Sequence, residues 1–176
     1  MTIVFISIGA LIALVLIAAA FQSNQFSISR SVLINRPVEP VFDYLRYLRN
    51  MERYNKWVMT DPSQTVHTTG IDGQEGFIYA WESKHKNVGK GEQEIKSVAL
   101  NQKITTEIRF EKPFKGISEA VLTTESAGNG QTKVTYTFQG PKNFGMKIAH
   151  LLLGLEKVLG KDLQTTVDNL KSQLEQ

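Results

Sequence analysis

Residues Asn143 to Gln176 read NFGMKIAHLLLGLEKVLGKDLQTTVDNLKSQLEQ, and Phe144, Ile148, Leu151, Leu152, Leu155, Leu159, Leu163, Val167, Leu170 and Leu174 recur in them at helical spacing. The spacing predicts one long amphipathic helix with its stripe against a core. Gly145, Gly154 and Gly160 weaken it locally, so a kink is expected at Gly154 or Gly160. At up to about 50 Å such a helix reaches across a whole sheet.

The residues before it supply that sheet. Ser27 to Ile34 alternates as a strand, and the periods after Asp61-Pro62 give strands near 64–69, 76–84, 91–98, 103–111, 117–126 and 132–139. Asp72-Gly73 and Asn129-Gly130 carry the hairpin-turn signal, a pair that accepts positive φ. Between the first and second strands, Pro37 and Pro40 suit a helix's first turn, with Val41, Phe42, Leu45 and Leu48 on one face. Asn50 is placed to cap a second short helix that ends before Trp57. The order is strand, two short helices, six antiparallel strands and a long helix.

That order resembles the helix-grip fold of the SRPBCC superfamily, which includes START-like lipid carriers, pollen-allergen-like proteins and polyketide cyclase/dehydrase-like proteins. The resemblance covers nearly all of 25–176. Its small membrane-anchored branch is the part most similar, through Ser31-Val32-Leu33-Ile34-Asn35-Arg36-Pro37, Leu48-Arg49-Asn50-Met51 leading to Trp57, Tyr79-Ala80-Trp81-Glu82, Val88-Gly89-Lys90-Gly91, and Leu159-Gly160-Lys161-Asp162-Leu163 with Asn169-Leu170-Lys171. The resemblance implies an α+β fold, a seven-stranded antiparallel sheet wrapped on the C-terminal helix, with a hydrophobic cavity between them. It leaves the ligand open.

Alternation selects the residues that face this cavity. Phe77, Tyr79 and Trp81 oppose Glu82 and Lys84 and turn inward. The same test selects Gln93 and Ile95; Ile104, Thr106, Ile108 and Phe110; Ala120, Leu122 and Thr124; and Val134, Tyr136 and Phe138. Trp57 joins them, and Leu152, Leu155 and Leu159 close the roof. The alternative for each is a solid core.

Turns of a meander alternate between the two ends of the sheet. Loops near 84–90 and 111–117 therefore share one end, with Lys84, Lys86, Lys90, Lys112 and Lys115. Lys142 joins them, and if the first strand pairs with the last, its start lies there too. This basic end is suited to an anionic membrane surface, or is a solvated set of turn lysines.

At the other terminus, no charged side chain precedes Arg30, and Ile3 to Phe21 is apolar except for Ser7 and Gly9. It measures roughly 28 Å as a helix. Its 12 Ile, Leu, Val and Phe residues favour partitioning by about 5 kcal/mol. Residues 1–22 are expected to form a single transmembrane anchor and 23–176 one domain. Arg30 and Arg36 follow the span and none precedes it, which places the domain in the cytoplasm. The alternatives are a secretory signal cleaved near Ala18-Ala19-Ala20 and a buried core helix.

Chemistry has few candidates. The chain has no cysteine, so disulfides and thiol nucleophiles are excluded. His67, His85 and His150 lack metal-ligand spacing, Gly89-Lys90-Gly91 precedes no helix, and Glu82, Glu94 and Glu119 point outward. No residue is assigned a catalytic or metal-binding role and no cofactor is implied. The net charge of +3 is not clustered with aromatics as in a nucleic-acid module. The expected function is a membrane-tethered carrier or sensor of a lipophilic small molecule. The alternatives are a cyclase or dehydrase on a similar ligand and a protein-interaction module with a filled core.

Overall fold

Buried and exposed side chains alternate along each long strand, which makes the sheet one-faced and demands a cover on the apolar side. In the computed structural model, which describes residues 2–176 with side chains from Val4 onward, the strands are β1 (Gln25–Ile34), β2 (Thr65–Thr69), β3 (Ile78–Glu82), β4 (Lys90–Ala99), β5 (Lys103–Lys112), β6 (Gly116–Gly128) and β7 (Gln131–Pro141). All pair antiparallel in the order β1-β7-β6-β5-β4-β3-β2. The helices are α1 (Thr2–Ala20), α2 (Val38–Arg46), α3 (Phe144–Leu153) and α4 (Leu155–Leu174). Two 3₁₀ helices, Leu48–Arg53 and Val58–Thr60, follow α2.

The expected kink falls at Gly154, not Gly160, and is sharp enough to divide the expected long helix into two. Gly154 adopts φ 58° and ψ 38° between them, a left-handed conformation that glycine accepts without steric cost. Asn143 caps α3 by accepting from Met146 N. The apolar stripe therefore divides: Leu163, Val167 and Leu170 are fully buried, whereas Leu151, Leu152 and Leu153 on α3 are exposed. α4 lies mainly along β1 and reaches β7. Thr166 Oγ1 accepts from Lys56 N at 3.1 Å and Asn169 Nδ2 donates to Tyr54 O at 3.2 Å. These bonds fasten the segment after the first 3₁₀ helix to α4.

Two local expectations fail for identifiable reasons. Asn129-Gly130 does make the tight β6–β7 turn, with φ 50° and 71°, but Asp72-Gly73 is no two-residue hairpin. The Asp72 carboxylate accepts from Leu48 N at 2.8 Å and Arg49 N at 3.2 Å, so it caps the first 3₁₀ helix from outside. Asn50 lies inside that helix and donates to Tyr44 O instead of capping one.

The register brings Gln25 to Pro141, Glu82 to Lys90, Lys90 to Lys112 and Phe110 to Gly116. One end of the sheet thus gathers the start of β1, the β3–β4 and β5–β6 turns and the end of β7. The short link after α1 is tied there by Lys142 N donating to Asn24 O at 2.7 Å. Among the described residues no helix is long and apolar enough to cross a membrane. α1 comes nearest, a helix of 19 residues whose side chains are described from Val4 to Ala20. The span expected over 3–21 also includes Ile3, which lies outside the described side chains, and Phe21, which the helix does not reach. α1 is no buried core helix: its described apolar side chains are exposed apart from Ala19 and the half-buried Val15.

On the outer face Arg109 pairs with Glu92 and Glu94, each at 2.7 Å, and with Glu107. Its hydrogen bond, then that of Lys96, holds the Glu94 carboxyl below the usual range. A depressed folded-state value contributes stability above the unfolded pKa, ~4.3, that is lost as pH falls through the folded value. Arg109→Gln should therefore flatten the loss of thermal stability below about pH 4, measured on the detergent-solubilised chain by circular dichroism; an unchanged acid limb contradicts the assignment. Asp72→Ala should lower unfolding stability by about 1–2 kcal/mol in urea titrations, because two backbone donors lose a charged acceptor. No loss would mean the 3₁₀ helix needs no cap.

Candidate functional site

Between the sheet, α4 and the 3₁₀ segment lies a cavity of about 240 Å³. Met51, Asn55, Trp57, Val58 and Gln64 come from the 3₁₀ segment and its exit, Tyr79, Trp81, Asn87 and Val88 from β3 and the following turn. Gln93, Ile108, Phe110, Tyr136 and Phe138 come from the sheet, and Leu159 from α4. Nine of these are sequence-expected wall residues: Trp57, Tyr79, Trp81, Gln93, Ile108, Phe110, Tyr136, Phe138 and Leu159. Ile95, Thr106, Leu122 and Thr124 also face inward but are sealed into the core. Leu152 is 62 % exposed and Leu155 half-buried, because the break at Gly154 turns α3 away from the roof.

Much of the wall is aromatic. Trp81 meets Phe110 edge-on at 6.1 Å between centroids, and Phe138 lies 6.0 Å from Trp57 and 5.3 Å from Phe26. A side chain at Gly91 would place its Cβ 2.7 Å from the Trp81 ring and 2.6 Å from Arg109 O, so glycine is what lets the indole lie across β4. Trp81 Nε1 donates to Val88 O at 3.2 Å, which holds the ring and the β3–β4 turn together.

Few polar groups interrupt this surface, and most have partners. Gln93 Nε2 donates to Thr106 Oγ1 at 2.8 Å, and Thr106 Oγ1 donates to Ala120 O at 3.1 Å. Asn55 Oδ1 accepts from Trp57 N at 3.0 Å, and its Nδ2 donates to the Tyr136 hydroxyl at 3.5 Å. The Tyr79 hydroxyl donates to Glu52 Oε1 at 3.1 Å. Burial pushes the Tyr136 phenol up to about 12 despite the Asn55 bond. Burial, then the negative charge of Glu52, raises the Tyr79 phenol further. Both stay protonated near neutrality. Among the described residues they are the only titratable groups on the wall, and no carboxylate, imidazole or amine reaches it.

The histidines and outward acids lie elsewhere. His67 and His85 are exposed. His150, expected off the apolar stripe, is buried with its ring 5.6 Å from Phe26. Its Nδ1 lies 3.4 Å from Glu156 Oε1, too poorly aligned for a hydrogen bond. Glu82, Glu94 and Glu119 belong to the outer face: Glu82 lies near Lys90, Glu94 is bound by Arg109, and Glu119 accepts from Gln139. No group of metal-ligating side chains exists among the described residues.

The basic end divides likewise. Lys84, Lys86, Lys112 and Lys115 are exposed on the two turns. Lys90 is engaged by Glu111 at 3.3 Å and Glu82 at 3.7 Å. Lys142 is buried and pairs with Glu156 at 3.3 Å, so it is not part of an exposed basic surface.

The Met51–Gln64 part of the wall escapes periodicity because a 3₁₀ turn and its loop repeat at neither 3.6 nor 2 residues. The Asn-Lys-Trp run at 55–57 is its only local mark.

In overall shape the chain is similar to a protein from Thermobifida fusca solved by NMR, with a TM-score of 0.64 at 13 % identity, covering 84 % of this chain and 92 % of that one. It is also similar to the Aha1 dimer of Colwellia psychrerythraea (TM-score 0.59, 14 % identity, 85 % and 96 % covered) and to a hypothetical protein from Helicobacter pylori (0.60, 14 %, 85 % and 88 %). At these identities the likeness concerns the fold alone. No curated protein matches the sequence. Residues 25–175, the whole folded domain from β1 to the end of α4, match the family described as polyketide cyclase / dehydrase and lipid transport, and the chain belongs to that family.

Proposed function

We propose that the domain binds a lipophilic small molecule in this cavity and acts as a carrier or sensor for it at a membrane, held there by α1. The observation that supports binding is the wall itself: aromatic and aliphatic side chains around a preformed space, with two protonated phenols and the amides of Asn55, Gln64, Asn87 and Gln93 as its hydrogen-bonding groups. Such a surface prefers an apolar ligand carrying one or two polar atoms. The size limits it further. About 240 Å³ exceeds the roughly 150 Å³ of a cavity that accepts benzene but falls below the ~300–1,000 Å³ of pockets that enclose drug-sized ligands. A ring system or one end of a longer chain fits.

Chemistry on the ligand would call for a proton donor and acceptor of matched pKa on the wall. Phenols raised by burial hold their protons at neutral pH; Tyr79 spends its own on Glu52 and Tyr136 accepts from Asn55, which leaves the Tyr136 O–H as an anchoring donor rather than a shuttle. That favours carriage over the cyclase or dehydrase reading, and the space itself disfavours an interaction module with a filled core.

Membrane attachment is supported by α1. Its full helical length, 19 residues, measures roughly 28 Å, lacks any ionised side chain, and exposes apolar side chains such as Val4, Phe5, Ile8, Leu11 and Leu14 at 51–68 %. In water these would form an apolar surface far beyond what soluble chains expose. Lys84, Lys86, Lys112 and Lys115 at the tethered end would each add about 1 kcal/mol against an anionic leaflet, screened by salt. Arg30 and Arg36 favour a cytoplasmic domain by the positive-inside bias.

Native mass spectrometry of the full chain extracted in mild detergent should show one stoichiometric lipophilic adduct, and Leu159→Trp, which fills the cavity, should remove it. An adduct-free wild-type chain that also takes up no lipid, quinone or isoprenoid from a panel contradicts the binding reading. In cell fractionation the full chain should stay with membranes through alkaline carbonate washing; release into the supernatant contradicts the anchor.

A further inference from the structure

We propose that the open end of the cavity faces the bilayer, so that the ligand passes between membrane and cavity without crossing water. This rests on the anchored-carrier reading above and adds an orientation and a docking surface to it.

The direction of opening is read from burial. Along β3 the wall goes from Tyr79, 1 % exposed, to the half-buried Trp81; along β5 from the buried Ile108 to the half-buried Phe110; along β7 from the buried Tyr136 to the half-buried Phe138. In each strand exposure rises toward the same end of the sheet. Asn87 and Val88, on the β3–β4 turn, complete the rim there. That is the end at which β1 begins, only Phe21–Asn24 after α1.

The surface around the rim is suited to lipid. Phe114 is 80 % exposed on the β5–β6 turn, and Leu152 and Leu153 are 62 % and 67 % exposed on α3, which packs beside α1. Exposed Lys112 and Lys115 flank Phe114, and Lys84 and Lys86 occupy the neighbouring turn. The carboxylates of Glu82 and Glu111 beside them are drawn to Lys90. Apolar side chains ringed by lysines match an anionic interface, where the rings and aliphatic tips enter the acyl boundary while the amines stay at headgroup level. The opposite end also exposes Ile71 and Leu100 and mixes Glu75 and Glu125 with the exposed Lys103 and Lys133, but it carries no tether and no part of the cavity rim.

Cavity size makes the arrangement useful. A ligand longer than the cavity leaves part of itself outside the rim, and water would oppose that at about 0.8 kcal/mol per methylene. A bilayer at the rim removes the penalty.

Trp57 and Trp81 are the chain's two tryptophans, and both line the cavity, so intrinsic fluorescence reports on it directly. The full chain would be reconstituted into vesicles containing anionic phospholipid, with either ordinary or brominated acyl chains, and floated to confirm association. Brominated lipid should quench the emission severalfold. Lys112→Glu/Phe114→Ser/Lys115→Glu should restore most of it while the chain still floats and keeps its thermal midpoint. Flotation with unquenched emission overturns the orientation and leaves the anchor standing, as does quenching that the triple variant fails to relieve for the docking surface. A chain that does not float removes the anchored reading and this proposal with it. Quenching that appears equally in vesicles without anionic lipid overturns the part assigned to the lysines.

Discussion

A seven-stranded sheet is wider than the helix that covers it. Six interstrand gaps of about 4.8 Å make roughly 29 Å of apolar face, while one helix is about 10–12 Å across. α4 settles along β1 and reaches β7, where Leu163, Val167 and Leu170 are fully buried. The rest must be covered by α2 and the irregular segment after it. Near the C-terminal half of α4 that cover closes, with Ile34, Val41, Phe42, Leu45 and Tyr54 almost wholly buried. Near its N-terminal half it does not, and the cavity is what remains.

The same mismatch explains where polar groups are spent. An irregular segment lying over an apolar sheet has backbone donors and acceptors that no ladder satisfies. Asp72 takes two of them, Asn55 two more, and Thr166 and Asn169 on α4 another two. These side chains are the scaffold of the cavity wall. They fix the positions of Trp57 and Val58, and so they set the shape of the space without presenting an ionised group to it. The pair formed by Tyr79 and Glu52 does the same from the sheet side.

Much of this was legible from residue pattern. The strands lie where alternation placed them because one face is charged and the other buried, so a shift of one residue would bury Arg109 and its three carboxylates. Inward faces followed for the same reason. Four features were not legible. The kink expected at Gly154 or Gly160 falls at Gly154, but the apolar stripe continues through Leu151, Leu152 and Leu153 whether these meet a sheet or something else, so periodicity does not show that α3 leaves the sheet. Asp-Gly is a local turn signal, yet the partners of Asp72 lie 24 and 23 residues earlier. The burial of Lys142 and His150 depends on α1 and α3 meeting beside β1, a contact between segments more than a hundred residues apart. The cavity itself is a failure of cover, and no residue encodes it singly.

The whole account therefore turns on a space that the cover leaves open and that the proposed function fills with a ligand. A high-resolution experimental structure of the full chain, purified without stripping bound lipid, tests this most directly. The account requires continuous elongated density between Trp57, Trp81 and Phe138, leaving through the rim beside Val88. A wall collapsed onto itself, or a cavity holding ordered water alone, would contradict it.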